Sequence, residues 1–277
     1  AILDAFPELK EELFSTFNLL PIPDTLNYQV NSYIDHAITG TKFLVSESRT
    51  DTKVVGPPGS YNDIIKYIEN LQIDKKVSGI AKAIFLLLAE AESNVHKIKI
   101  DELSFHELGE WDSILDIIGA SFLINALDAK WSIGGIPLGG GTVSTEHGQL
   151  PAPAPATCFL LKGFNIYDDG VIGERVTPTG AAILKFLHKY HPGTTRNGYL
   201  QGSGVGFGTT KFKKLANILR VLVFNDKSSE SFYDRVGKVE FEVDDQTPEH
   251  LSLAMDKIRQ QPSVLDVLQQ IGAGKKN

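Results

Sequence analysis

Apolar positions recur at helical spacing through the middle of the chain and alternate in several segments nearer its ends. Ile80, Ile84, Leu87, Leu88, Ala91 and Val95 share one face of a 3.6-residue repeat, which predicts a long helix from about Lys75 to His96. Ser60 is placed to cap a shorter helix over Asn62–Leu71. A third helix is predicted from Asp112 to about Leu127, an apolar stretch interrupted by Asp116 and Asn125. Pro7 suits a first helical turn, with Leu9, Leu13 and Phe14 forming the apolar face behind it. Further helices are expected over Thr157–Leu161 and, started by Pro178, over Thr179–His188. Asn27–Ala37 alternates, and Thr39–Gly40 offers a turn before Lys42–Ser46, which together read as a hairpin. Tyr199–Phe207 and Asn217–Phe224 read as later strands.

Two segments punctuate this pattern. Ser48–Ser60, with Gly56, Pro57, Pro58 and Gly59, reads as a loop, and Pro151, Pro153 and Pro155 force an extended stretch. Asn225–Asp234 is polar, carries three Ser and is the best linker in the chain. Beyond it, Lys238–Val243 reads as a strand, Pro248–Gln260 as a helix and Val264–Ile271 as another strand. The expected fold class is α+β. A large mixed α/β N-terminal domain covers 1–226, a linker 227–235, and a partial C-terminal ferredoxin-like βαβ element 236–277. An element of that size cannot bury both of its faces by itself. Its partner strands are expected from further sequence or from another subunit, so a homo-oligomer through this element is anticipated.

Composition narrows the function classes. The 277 residues are 42% hydrophobic and 22% charged, the balance of a soluble globular protein. A formal net charge of −7 argues against a general nucleic-acid binder, which needs a basic face to displace phosphate counterions. The acidic surplus is compatible with cation binding and equally with a solvated surface. The one cysteine, Cys158, excludes an intrachain disulfide framework and a Cys-rich zinc site. No run approaches the roughly 20 apolar residues that a membrane span requires, and no signal peptide is evident. A cytoplasmic location is expected.

The densest polar constellation is His106, Glu107, Glu110, Asp112 and Asp116, on the approach to a helix and in its first turns. Asp112 and Asp116 are four residues apart and project from one helical face. Imidazole with carboxylates suits a borderline divalent metal such as nickel, zinc or manganese. The plain alternative is a capped helix, with Asp112 or Ser113 satisfying terminal amides. A zinc-protease helix is rejected, because Glu110 stands where that motif needs its second His. His147 lies on a Gly- and Pro-framed loop and is a candidate ligand or acid–base group, or else an ordinary surface His. His96 ends the long helix and reads as a C-terminal charge or hydrogen-bond partner. Gly202–Gly208 fits neither phosphate-loop pattern and reads as a glycine-rich hairpin or bulge. Cys158 is expected to pack in the core. Glu240, Glu242, Asp244 and Asp245 could hold a hard cation on a nucleotide triphosphate, with Lys275 and Lys276 on its phosphates. A charged edge strand and a polar tail explain the same residues.

Several long blocks, in colinear order over nearly the whole chain, carry a resemblance. They are Ser104-Phe-His-Glu-Leu-Gly-Glu-Trp-Asp-Ser-Ile-Leu-Asp-Ile-Ile-Gly-Ala120, Pro137-Leu-Gly-Gly-Gly-Thr142, and His147-Gly148 with Pro151-Ala-Pro-Ala-Pro-Ala-Thr157. Gly173-Glu-Arg-Val-Thr-Pro-Thr-Gly-Ala-Ala182 is a further block, joined by Ala89–His96 and Asp244–Glu249. These resemble the LarC-type nickel insertion proteins of nickel-pincer cofactor biosynthesis. The resemblance implies an enzyme, a nickel chelatase of the lyase type. It would insert nickel into pyridinium-3,5-bisthiocarboxylic acid mononucleotide, with CTP and a Mg or Mn ion as cofactors.

On that resemblance His106, Glu107, Asp112, Asp116 and His147 become the metal candidates. Glu174, Thr177 and Thr179, just before and within a helix N-terminus, become substrate-pocket candidates. Asp244, Asp245, Lys275 and Lys276 become candidates for the CTP site, and no catalytic residue is assigned. Ser104 stands where family members typically carry a second His, and Glu110 and Trp111 replace smaller apolar residues. Two competing readings follow: a non-catalytic metal- or cofactor-binding paralogue that kept the fold, and an oligomerisation scaffold without chemistry.

Overall fold

The structure, a computed structural model, describes residues 1–47, 59–104, 111–145, 148–192, 198–225, 247–262, 264 and 267. The chain divides into two compact units, Ala1–Ser229 and Glu230–Asn277. Within the first, α1 (Ile2–Ala5) and α2 (Leu9–Phe17) precede the hairpin of β1 (Leu26–Asp35) and β2 (Ile38–Glu47). Three helices follow: α3 (Tyr61–Asn70), α4 (Lys75–His96) and α5 (Trp111–Leu127). A run of short strands comes next: β3 (Ile136–Pro137), β4 (Gly139–Gly140), β5 (Thr142–Thr145) and β6 (Gly148–Pro151). Then come α6 (Pro155–Leu160), β7 (Ile166–Tyr167), β8 (Gly173–Glu174), α7 (Pro178–Tyr190), β9 (Tyr199–Phe207) and β10 (Ile218–Asn225). In the second unit the described element is α8 (Pro248–Arg259), capped by the Thr247 hydroxyl, which accepts the His250 amide. The strands expected at Lys238–Val243 and Val264–Ile271 lie outside the described residues, Val264 and Val267 excepted. The fold is α+β.

Caps set the helix starts. Ser60 accepts the Asp63 amide at the start of α3, and Asp74 accepts those of Lys76 and Val77 at the start of α4. Helix α4 is the centre of the core and packs against α3, α5, α6 and α7. Its Ile84, Phe85 and Leu88 are wholly buried, each contributing roughly 1.5–3 kcal/mol relative to an exposed position. Helix α5 adds Ile114, Leu115, Ile117 and Ile118, and α7 adds Ala181 and Ala182. Gly119 of α5 is small because Phe17 of α2 lies against it: a Cβ there would stand 3.0 Å from the Phe17 ring. Phe17 in turn meets Tyr28 edge to face at 5.1 Å, which seats α2 on the sheet.

The main sheet has the order β1-β2-β9-β10. The two outer pairs are antiparallel, while β2 and β9 run parallel and share one bridged pair, Thr41 with Gly206. Asp4 of α1 reinforces that thin join. Its carboxylate accepts from the Thr41 hydroxyl on β2 and from the Val205 amide on β9, both at 2.8 Å. Helix α1 can lie this close because Gly204 and Gly206 present no side chain, and a Cβ on Gly204 would fall 2.2 Å from the Ala1 carbonyl oxygen.

The hairpin turn differs from expectation. It is His36–Ala37, both at positive φ (46° and 61°), while Thr39 and Gly40 belong to β2. Gly40 answers a packing need rather than a turn, since a Cβ there would meet the Val205 carbonyl oxygen at 2.6 Å. The Gly202–Gly208 segment runs through most of β9, which pairs antiparallel with β10 and has a register shift beside Gly202, in keeping with a glycine-rich hairpin or bulge.

Candidate functional site

Helices α5 and α7 are in contact, and the segments that follow them meet. The Trp131 amide, four residues beyond α5, donates to the His191 carbonyl at the end of α7 at 2.8 Å. At about 1.5 Å per residue, α5 is about 26 Å long and α7 about 20 Å. Helix α3 lies beside the start of α5. Its first residue, Tyr61, donates its amide to Leu103, and Ser60 bridges Ser104. Tyr67 meets Trp111 edge to face at 5.8 Å.

Asp112 and Asp116 both occupy the first turns of α5 and are exposed. Asp112 Oδ1 accepts the Ser113 amide at 2.8 Å, so part of the capping alternative holds for this carboxylate. Asp116 makes no hydrogen bond or ion pair among the described residues. Its acid constant is raised to about 7, first by burial and then by the Asp112 charge. Exposure and desolvation here point in opposite directions. The side chain is solvent-accessible, while the protein packed around it still limits the hydration of its carboxylate. A carboxylate in that state gains most from an incoming cation.

The glycine-rich segment before α7 is a second, separate candidate region. Gly139 and Gly140 of β4 pair antiparallel with Glu174 and Gly173 of β8. Gly139 has φ of 75°, and a Cβ on it would fall 2.1 Å from the Gly173 carbonyl oxygen, so this close ladder requires glycine. Glu174 is half-buried beside it. Thr177 caps α7, its hydroxyl accepting the Gly180 amide at 3.2 Å, and Thr179 is half-buried in the first turn. The Thr177 hydroxyl therefore has a structural task whether or not a substrate is present.

Sequence reasoning passed over the residue that braces this ladder. Arg175 Nε donates to Asp169 Oδ2 at 2.9 Å, and the two side chains are only 11% and 14% exposed. Its Nη1 reaches Asn217 Oδ1 at 3.4 Å, and its guanidinium stacks on the Phe212 ring at 4.9 Å. The signal was present in the Asp168-Asp169-Gly170 turn followed by Arg175. Its other partners, Phe212 and Asn217, lie more than 35 residues further on, which no local pattern reveals.

His106, Glu107, His147, Asp244, Asp245, Lys275 and Lys276 lie outside the described residues. No group of three or more metal-ligating side chains occurs among the described residues. Within that set the structure brings Asp112 and Asp116 together on α5, and Glu174, Thr177 and Thr179 together at the start of α7. Cys158, expected in the core, is exposed: α6 turns Ala156, Thr157 and Leu160 inward, and Cys158 points away from them. His96 pairs with Glu92 at 3.3 Å, a local contact one helical turn back.

The chain matches the family described as nickel insertion protein over residues 1–277. It belongs to that family. A relative from Geotalea uraniireducens, provisionally named a nickel insertion protein, is 36% identical over 90% of this chain and 62% of its own length. One from Geobacter sulfurreducens with the same name is 40% identical, over 79% of this chain and 55% of its own. A third, from Akkermansia muciniphila, is named pyridinium-3,5-bisthiocarboxylic acid mononucleotide nickel insertion protein and is 34% identical over 87% of this chain and 60% of its own. The chain thus spans about three-fifths of the length of these family members. No solved structure matches it. Among the described residues no helix is long and apolar enough to cross a membrane.

Proposed function

We propose that this chain carries the nickel- and substrate-receiving part of an enzyme that inserts nickel into pyridinium-3,5-bisthiocarboxylic acid mononucleotide. The observation that carries this reading is the family match over the whole chain, together with the Akkermansia relative's name over 87% of it. The chemistry of the candidate residues supports the reading. Asp112 and Asp116 form a paired carboxylate face that would receive nickel, a substrate here, in exchange for the proton that Asp116 holds. Oxygen ligands hold a borderline metal less firmly than sulfur does, so nickel collected there can pass to the thiocarboxylate sulfurs of the precursor. Glu174, Thr177 and Thr179 border the place where the organic substrate would lie, and the start of α7 favours its negative groups.

CTP with Mg or Mn is proposed as the activating nucleotide. Asp244, Asp245, Lys275 and Lys276 would hold it, in an element that would also assemble the oligomer. The cytoplasm is the proposed location. The test is nickel binding by titration calorimetry and nickel transfer to the precursor by mass spectrometry, using the full chain and its Asp116→Asn variant. Wild type is expected to bind nickel and to yield the nickelated product when CTP is supplied. The variant should bind nickel about tenfold more weakly, the loss of one ligating charge. Wild type that binds no nickel would overturn the proposal.

A further inference from the structure

Charge is distributed unevenly along this chain. Residues 175–225 contain eight of its 27 Lys and Arg residues and none of its 34 Asp and Glu residues. Three of the eight, Lys211, Lys213 and Lys214, crowd into the loop joining β9 and β10. All three are exposed, and none makes an ion pair or hydrogen bond among the described residues. A protein of net charge −7 with unpaired lysines concentrated at one place is built there to meet an anion.

The loop is not a free tip. Its ends are closed by the Gly208 amide on the Asn217 carbonyl at 3.0 Å, and Asn217 Nδ2 donates to the Thr210 carbonyl at 3.1 Å. Phe212, between the lysines, lies against Gly173, where a Cβ would come within 2.9 Å of its ring. The Arg175 guanidinium stacks on the same ring and also reaches Asn217. Gly173 and Arg175 flank Glu174, and Thr177 follows two residues later. The loop is therefore docked through Phe212 onto the segment that leads into α7, and exposed lysines stand on both sides of that docking residue.

We infer that the β9–β10 loop is a phosphate-binding element, in which Lys211, Lys213 and Lys214 receive the phosphate of a nucleotide bound beside Glu174. The inference rests on the proposed function for the identity of that nucleotide. Lysine ammonium groups are compact point charges that suit a phosphate without dictating its orientation. The one aromatic ring in the loop carries the Arg175 guanidinium, so what the loop offers a ligand is chiefly charge. Three lysines on a short, closed loop also fit a single phosphate group better than a polyanionic strand, which needs an extended basic track. The same chemistry is offered by the phosphate monoester of a pyridinium mononucleotide and by the phosphates of a nucleoside triphosphate.

Calorimetric titration separates these sources. The probes are nicotinamide mononucleotide, the corresponding riboside without phosphate, and CTP. They are added to the wild-type chain, to the variant with Lys211, Lys213 and Lys214 all changed to Ala, and to one with all three changed to Arg. The expected result is a roughly tenfold or greater loss of mononucleotide affinity in the Ala variant at low salt, shrinking as salt is raised. Riboside affinity should not change, and the Arg variant should retain mononucleotide binding. Loss confined to CTP would assign the phosphate to the triphosphate instead. Unchanged affinity for both nucleotides in an Ala variant with a wild-type thermal transition would overturn the inference. So would an equal loss for the riboside. A chain that tells mononucleotide from riboside through these lysines yet transfers no nickel would leave the loop assignment standing and remove the proposed reaction.

Discussion

Asp116 stands one helical turn beyond Asp112 on α5, and the charge of Asp112 makes it harder for Asp116 to ionise. Burial is the larger cause, and together they raise Asp116 from 3.8 to about 7. The folded protein therefore keeps a proton on this group, between about pH 4 and pH 7, that the unfolded chain releases. A raised carboxylate constant means that this contribution to stability is complete at low pH and is lost as pH rises through that window. Asp116→Asn should remove that part of the pH dependence, which thermal melts from pH 4 to 8 will reveal as a smaller fall in Tm than wild type. Asp112→Asn should lower the Asp116 titration midpoint only part of the way, because burial stays. Identical pH profiles for wild type and Asp116→Asn would refute the assignment.

The helices of this chain were legible because their signals are local. Ser60 and Pro178 fall at the starts of α3 and α7, and the spacing from Ile80 to Val95 marks the face that α4 buries. The hairpin turn was misplaced because His36 and Ala37 take positive φ without glycine, while the Gly40 nearby serves a contact with Val205. Glycines needed by distant neighbours look the same in sequence as glycines needed by turns. The site divides in a similar way. The Asp112 and Asp116 spacing could be read directly, but the raised acid constant of Asp116 depends on which masses surround α5. Arg175 was passed over because Asn217 and Phe212 are remote in sequence. Cys158 was misplaced because a six-residue helix has too few positions to define its inward face.

The Asp169–Arg175 pair is mostly withdrawn from water, so removing one partner strands the other. Arg175→Ala is expected to destabilise the protein by about 3 kcal/mol, read from urea unfolding, with Asp169→Asn costing less because an amide still accepts a hydrogen bond. Arg175→Lys should fall between them, since an ammonium can meet Asp169 but cannot also lie flat on Phe212 and reach Asn217. Equal stability of all three variants and wild type would remove Arg175 from its bracing role.

Alternate glycines of β9 should respond differently to the same change. Among the described residues a Cβ on Gly202 meets nothing within 4 Å, whereas one on Gly204 runs into Ala1 and into Ala5 of α1. Gly202→Ala should alter stability by no more than about 0.5 kcal/mol. Gly204→Ala should displace α1 and break the Asp4 bonds to Thr41 and Val205, a loss of about 2 kcal/mol or more. Hydrogen exchange at the Val205 amide is the direct readout. Protection there should drop in Gly204→Ala and persist in Gly202→Ala.

Thr157 closes the proline-rich block, is wholly buried, and leaves its hydroxyl without a hydrogen-bond partner among the described residues. A buried hydroxyl without a partner costs about 1–3 kcal/mol relative to an apolar group of the same shape. Valine keeps the branched shape and removes the oxygen, so Thr157→Val should raise stability by about 1 kcal/mol in urea unfolding. Thr157→Ser keeps the orphan hydroxyl and deletes a methyl from the core, so it should lower stability by a similar amount. The opposite ordering, with Ser more stable than Val, would mean that the hydroxyl is satisfied in solution. Nickel transfer measured on the same pair then separates packing from chemistry: a stabilised Val variant with normal transfer confines Thr157 to the core. A stabilised variant that transfers poorly would place an unused hydroxyl in the path of the reaction.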